Sequence, residues 1–336
     1  MAGTIVWDTN NGITLGDGSQ IQSFNSLGMR NRIINGAMMI SQRGTSFSAP
    51  SSGNYNLDRW FATWNGAAPA SISQVAGIGN YSKATQITGA ASNTLVYFIQ
   101  RIESNNCSDL SGQTVTIQAT IAVSSPQTVL WSLAYPTAQD NYTSVGFITG
   151  GTGTWSATTT ATTFTATIPS LPSGALNGLQ LLISPNNGGA FTSGTITITG
   201  VQLEKGTAAT PFEWRHYGTE LALCQRYLPA MSYSGGSNPY LGAGMAYGTT
   251  SAYYTISFPV TPRVPPTGLV VSSASHFSGF LANSAVSAAT GFVFGGANSH
   301  SAFVQLTGMS GLSGGNASLI YMNNSAALLY FTGGEL

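Results

Sequence analysis

Charge is nearly absent from long stretches of this chain, and that limits what it can fold into. From Val264 to Gly334 there is no Asp, Glu, Lys or Arg, and from Ser111 to Leu203 Asp140 stands alone. Globular chains carry about a quarter charged residues; this one carries 6%. Thr, Ser, Asn and Gly take their place, interleaved with Val, Ile, Leu and aromatics. Such a mixture builds compact β-sheets with neutral hydroxyl and amide surfaces, and it is a poor toolkit for acid/base chemistry.

At 336 residues and 42% hydrophobic, the chain has room for two cored domains and an N-terminal extension. Ten cations balanced by ten anions over the whole length form no basic patch, so phosphate-driven nucleic-acid binding is not expected. MAGTIVWDTN has neither a basic nor an apolar signal region, and no signal peptide is expected. The apolar stretches are broken by Gly, Ser and Asn, so no membrane insertion is expected. Cys107 and Cys224 make no disulfide framework and are expected as two free thiols.

Residues 1–28 read as a small β-hairpin element, with turns at Asn11-Gly12 and Asp17-Gly18. Such a short meander cannot bury a core alone and needs copies of itself or a partner. Asp8, Asn10 and Gly12 have the spacing that opens a calcium loop, but its later ligands are missing, so no metal or other cofactor is expected.

Residues 29–217 read as one jelly-roll-like β-sandwich. LDRWFATW (57–64), TLVYFIQRI (94–102), VLWSLAY (129–135), FTATI (164–168) and LQLLI (179–183) are strand-like. QTVTIQATIAV (113–123) alternates, with Val115, Ile117, Ala119, Ile121 and Val123 on one face and Thr and Gln on the other. In TITITGVQLEKG (195–206) the phase slips after Gly200, which predicts a bulge there. Residues 218–229 hold a connector helix, with Thr219 as its cap, Leu221, Cys224 and Leu228 on one face, and Pro229 as its stop. Residues 230–336 read as a second, distal sandwich. The fold class is all-β: two sandwiches joined by a short helix.

Enzyme templates fail. His216, His276 and His300 lack metal-ligand spacing, and there is no nucleophile elbow, phosphate loop or dinucleotide fingerprint. A glycosidase pair would have to come from Asp58, Glu103, Asp109, Asp140, Glu204 and Glu213. Aromatics are the other resource, because sugars stack on Trp and Tyr faces. Trp60 and Trp131 lie in strongly apolar strands and are expected in the core. Trp64, before NGAAP, and Trp155, in GTGTWSATT, are expected to be exposed and are candidate glycan-binding residues. Tyr233, Tyr240 and Tyr247 punctuate YSGGSNPYLGAGMAY, which suits either an adaptable binding loop or a packing role at a trimer interface. The scarce charges, Arg59, Glu204, Glu213 and Arg215 among them, are expected as structural ion pairs.

NRIINGAMMISQRGTSF (31–47), YNLDRW (55–60) and GVQLEKGTAATPFEWRHYGTELALCQRY (200–227), followed by SFPVTPRVPPTG (257–268), form an ordered frame. It resembles a group of bacteriophage tail-fibre and appendage proteins whose first domain is similar to a carbohydrate-binding-module jelly roll. The resemblance implies that NGAM and GVQLE are its first and last strands, lying side by side. It also implies a homotrimeric virion component that binds a host-surface glycan and is not an enzyme. Residues 1–28 would join it to other tail or baseplate proteins. Synthesis in the bacterial cytoplasm, assembly and lysis would bring it to the cell surface. A purely structural baseplate, neck or head-decoration subunit is the alternative reading, and a tailspike glycanase the third.

Overall fold

The computed structural model describes residues 29–233, 238–281 and 286–336, together with the strand residues 6–8, 12–14 and 20–21. It is nearly all β. The N-terminal strands β1 (Val6–Asp8), β2 (Gly12–Thr14) and β3 (Gln20–Ile21) form an antiparallel three-stranded sheet in sequence order. Gly12 opens β2, whereas the Asp17-Gly18 turn lies outside the described residues.

The chain divides into two compact units, residues 1–39, 45–215 and 336, and residues 40–44 and 216–335. The larger unit holds β4 (Ser46–Ser48), β5 (Phe61–Gly66), β6 (Ser71–Ala76), β7 (Lys83–Thr88), β8 (Asn93–Ile102) and β9 (Val115–Val123). It continues with β10 (Gln127–Ala138), β11 (Asn141–Ala157), β12 (Thr162–Ile168), β13 (Leu179–Ser184) and β14 (Thr195–Lys205). A five-stranded sheet, β11-β10-β13-β8-β5, faces a six-stranded one, β12-β9-β14-β7-β6-β4. The chain crosses repeatedly between the two, as a jelly roll does.

β9 carries the alternation its sequence predicts: Val115, Ile117, Ala119 and Ile121 are fully buried between the sheets. Its other face, of Thr and Gln, is buried as well: Thr116, Gln118 and Thr120 are covered. Tyr81 hydrogen-bonds Thr120, and Thr116 Oγ1 donates to the Gly206 carbonyl at 2.9 Å. The predicted bulge is present, since the β14–β9 register shifts between Thr199 and Gln202. Gly200 sits there at φ +59°, with the Tyr81 ring 2.3 Å from where a Cβ would be. Only glycine satisfies both conditions.

NGAM and GVQLE do lie side by side: Val201 N–H donates to the Gly36 carbonyl at 3.0 Å and Arg32 N–H to that of Leu203 at 2.8 Å. NGAM is a turn, however, not a strand. Asn35 and Met38 have positive φ, and a Cβ on Gly36 would meet the Val201 carbonyl oxygen at 2.1 Å.

The smaller unit begins with α1 (Tyr217–Gln225), the one α-helix among the described residues. His216, not Thr219, occupies its N-cap position and makes no side-chain cap bond; Thr219 falls inside the helix. Cys224 and Leu228 are buried as expected, while Leu221 is half-buried. Then follow β15 (Ala230–Ser232), β16 (Tyr240–Ala246), β17 (Ala252–Ser257), β18 (Gly268–Val271) and β19 (Phe277–Phe280). β20 (Gly291–Ala297), β21 (Ser301–Thr307), β22 (Ala317–Met322) and β23 (Leu328–Thr332) complete it. A three-stranded sheet, β15-β23-β18, packs on a six-stranded one, β19-β22-β16-β17-β21-β20. Tyr254, Phe277, Val304, Ile320 and Phe331 fill the core between them.

Candidate functional site

A cleft of about 440 Å³ opens within the smaller unit. Three separated segments build it. α1 presents Tyr217, Leu221 and Gln225, spaced four apart and therefore on one helix face. The loop at 40–44 adds Ser41 and Gln42, and β15 with the 325–328 turn adds Ser232, Tyr233 and Ser325. The loop is fixed from inside: Ser41 Oγ donates to the Gly44 carbonyl, and Gln42 Nε2 to the Leu228 carbonyl at 3.2 Å. Tyr233 N–H donates to the Ala327 carbonyl at 3.0 Å, which seats its ring at the wall.

Among the described residues, no lining residue is acidic or basic. The cleft offers two tyrosine rings, two side-chain amides and serine hydroxyls. Aromatic faces beside uncharged donors and acceptors suit a neutral polyhydroxyl ligand. They offer no general acid, base or metal ligand.

The sequence candidates separate. Tyr233 lies in this cleft. Tyr240 is exposed on the six-stranded sheet of the same unit, and Tyr247 is exposed in the turn that follows β16. The Tyr240 ring centroid is 5.8 Å from that of Tyr321 and 6.0 Å from that of Phe280, while Tyr247 lies 5.2 Å from Tyr253. Trp155 is not exposed. It is buried in the larger unit, stacked between Trp131 and Phe164 with centroids 5.9 Å from each, and its Nε1 donates to the Thr165 carbonyl. Trp64 alternates with outward-facing Thr63 and packs half-buried against the core side of β5. Trp155 therefore offers no exposed face, and Trp64 is half-buried rather than exposed. Tyr217, Gln225 and the 40–44 loop were not legible as site residues, because folding alone joins segments almost 300 residues apart.

The named carboxylates are engaged locally. Glu204 faces Arg30 at 3.3 Å and accepts from Thr210 N–H and Oγ1 at 2.8 and 2.6 Å. Glu213 pairs with Arg215 at 3.3 Å and accepts from the backbone N–H groups of Arg30 and Asn31. Arg215 also donates to the Asn31 and Ile33 carbonyls, which closes the start of the sandwich onto its end. Asp109 holds Arg32 through two bonds of 2.8 and 3.0 Å, and Asp140 caps Ser104. Asp58 and Glu103 are buried, and Arg59, buried too, donates to the Arg101 carbonyl at 2.6 Å. No group of three His, Cys, Asp or Glu able to hold a metal occurs among the described residues. Cys107 and Cys224 form no disulfide and are buried, and burial first of all pushes the Cys107 thiol up to about 12.

No family model and no curated protein matches the chain. Solved structures similar to it include a family 4 carbohydrate-binding module (CBM4), 19% identical, covering 51% of this chain and 98% of the module at a TM-score of 0.35. A putative sugar binding protein from Bacteroides thetaiotaomicron is 13% identical, with 52% of this chain and 100% of that one covered and a TM-score of 0.37. The enzymatically active domain of tailspike protein 4 from bacteriophage CBA120 is 15% identical over 53% of this chain but only 22% of that one, at a TM-score of 0.38.

Proposed function

We propose that the protein is a non-catalytic, glycan-binding virion component, a phage tail fibre or receptor-binding protein that attaches the particle to a bacterial surface. The neutral cleft carries the binding half of this reading: Tyr217 and Tyr233 supply faces for sugar rings, and Gln42, Gln225 and the serines supply hydrogen bonds to their hydroxyls. The virion half is supported by the ordered sequence frame that resembles phage appendage proteins. The engagement of the carboxylates in local structural bonds favours binding over the glycanase reading.

In this reading residues 1–28 join the protein to neighbouring tail or baseplate proteins, and the working form is a homotrimer. A shallow neutral cleft binds weakly as a single site. Several copies on one particle turn weak sites into firm attachment, an avidity gain of about 100-fold or more.

The test is adsorption of fluorescently labelled protein to bacterial cells before and after their surface polysaccharide is stripped. Binding that disappears with the polysaccharide, and is reduced by Tyr217→Ala and Tyr233→Ala, supports the assignment. Unchanged adsorption to stripped cells argues against a glycan receptor. No adsorption to any host tried, from a correctly folded protein, favours the purely structural subunit.

A further inference from the structure

The cleft of the smaller unit is polar at its rim and apolar at its base. Of its lining residues, Ile40, Ala230 and Ala327 are buried, at 1%, 8% and 2% exposure, and so form its floor. All three are apolar. The polar lining stands higher: Tyr217 and Ser232 are exposed, and Gln225 and Tyr233 are half-buried. Gln225 ends α1 and Ala230 begins β15 only a few residues on, so the chain turns amide and floor toward one end of the cleft. Tyr217 marks the other end, about 12 Å away along the helix. Among the described residues the Gln225 side-chain amide has no hydrogen-bond partner, so its C=O and its NH2 are both open to a ligand.

A plain hexose does not match this floor. Its ring carries hydroxyls nearly all round, and a hydroxyl pressed on Ile40 and the two alanines loses its bonds to water without replacement. The group that enters has to end in a methyl and carry polar atoms just behind it.

We infer that the cleft takes an N-acetylated amino sugar within a neutral glycan. The acetamido methyl seats on Ile40, Ala230 and Ala327. Its N–H donates to the Gln225 C=O, and its C=O accepts from the Gln225 NH2, so that one amide satisfies another. A volume of about 440 Å³ lies in the range of small-molecule sites and leaves room for the neighbouring sugar along α1, against Tyr217. A 6-deoxy sugar also ends in a methyl, but it has no amide to meet Gln225. A sugar carboxylate finds no cation among the described lining residues. The inference rests on the glycan reading of this cleft and narrows it to one class of sugar.

The test is ligand-observed NMR on the full chain, with N-acetylglucosamine and N-acetylgalactosamine set against glucose, galactose and the 6-deoxy sugar rhamnose. The acetamido sugars are expected to bind about 10-fold or more tighter than their parent hexoses, with the strongest saturation transfer at the acetamido methyl. Gln225→Leu keeps a good helix former at this position and removes only the amide, and circular dichroism will verify its fold. It should cut the preference for acetamido sugars by about 5-fold, the loss of two neutral hydrogen bonds, while hexose binding stays near the wild-type level. Parent hexoses that bind as tightly as their acetamido derivatives overturn the inference and leave the glycan reading standing. So does a preference for rhamnose, or a preference for acetamido sugars that Gln225→Leu leaves unchanged. Binding of no sugar of any of these kinds removes the glycan reading and this inference with it.

Discussion

Trp155 lies in a Gly/Thr-rich segment that reads as a surface loop, yet its ring is buried between Trp131 and Phe164. Small residues nearby are what allow this: Gly153 pairs with Trp131, and a Cβ there would come within 2.7 Å of the indole. Trp155→Ala is therefore expected to cost about 3–5 kcal/mol of stability, as large-to-small core changes do. Urea unfolding will show this as a lowered midpoint. Tyr217→Ala, at an exposed site, should stay within about 0.5 kcal/mol. Cys107 gives a pH signature. Its thiol rises from 9.0 to about 12 on folding, chiefly by burial. The folded state holds the proton after the unfolded chain has released it. Its contribution is complete below pH 9.0 and falls by about 1.4 kcal/mol per unit toward about 12. Tyr142, also raised by burial, adds loss of the same sign at the alkaline end. Cys107→Ala should flatten the first part of that fall in a series of denaturation curves from pH 8 to 10.5.

Elements were legible where one pattern decided them. The alternation in β9 and the phase slip at Gly200 each follow from side-chain period, and the structure has both features. Elements were misread where a partner distant in sequence decided them. NGAM turns because Gly36 must pass within contact of Val201. The outer face of the smaller unit's six-stranded sheet, where Phe303 and Val293 are exposed, was hidden for a related reason. In SAFVQL, Ala302, Val304 and Leu306 point to the core, so Phe303 passes for part of the same apolar run. Of the cleft only Tyr233 was legible, since Tyr217 is ordinary until the 40–44 loop and the 325–328 turn come to it. At this scale the bulge is testable. Gly200→Ala forces a left-handed residue to carry a Cβ into the Tyr81 ring. It should cost about 1–3 kcal/mol, read as a lower melting temperature, and Gly200→Ala combined with Tyr81→Ala should recover the steric part.

Across the whole molecule, scarcity of charge is the unifying trait. The few ion pairs in the larger unit close the sandwich ends, and the smaller unit keeps both its cleft and its outer sheet free of charge. Recognition that uses no charge should not respond to salt. Ligand affinity is expected to change by less than about 2-fold between 0.05 and 1 M NaCl, where charged contacts would be screened. The most direct measurement is a titration of neutral bacterial-surface oligosaccharides into the full chain, followed by ligand-observed NMR, with wild type and a Tyr217→Ala/Tyr233→Ala double variant side by side. Binding by the wild type that survives high salt, and that falls by about 10-fold or more in the folded double variant, is the predicted result. Binding that is equal in the two proteins, or no binding to any such sugar, would contradict the assignment of this cleft as a glycan site.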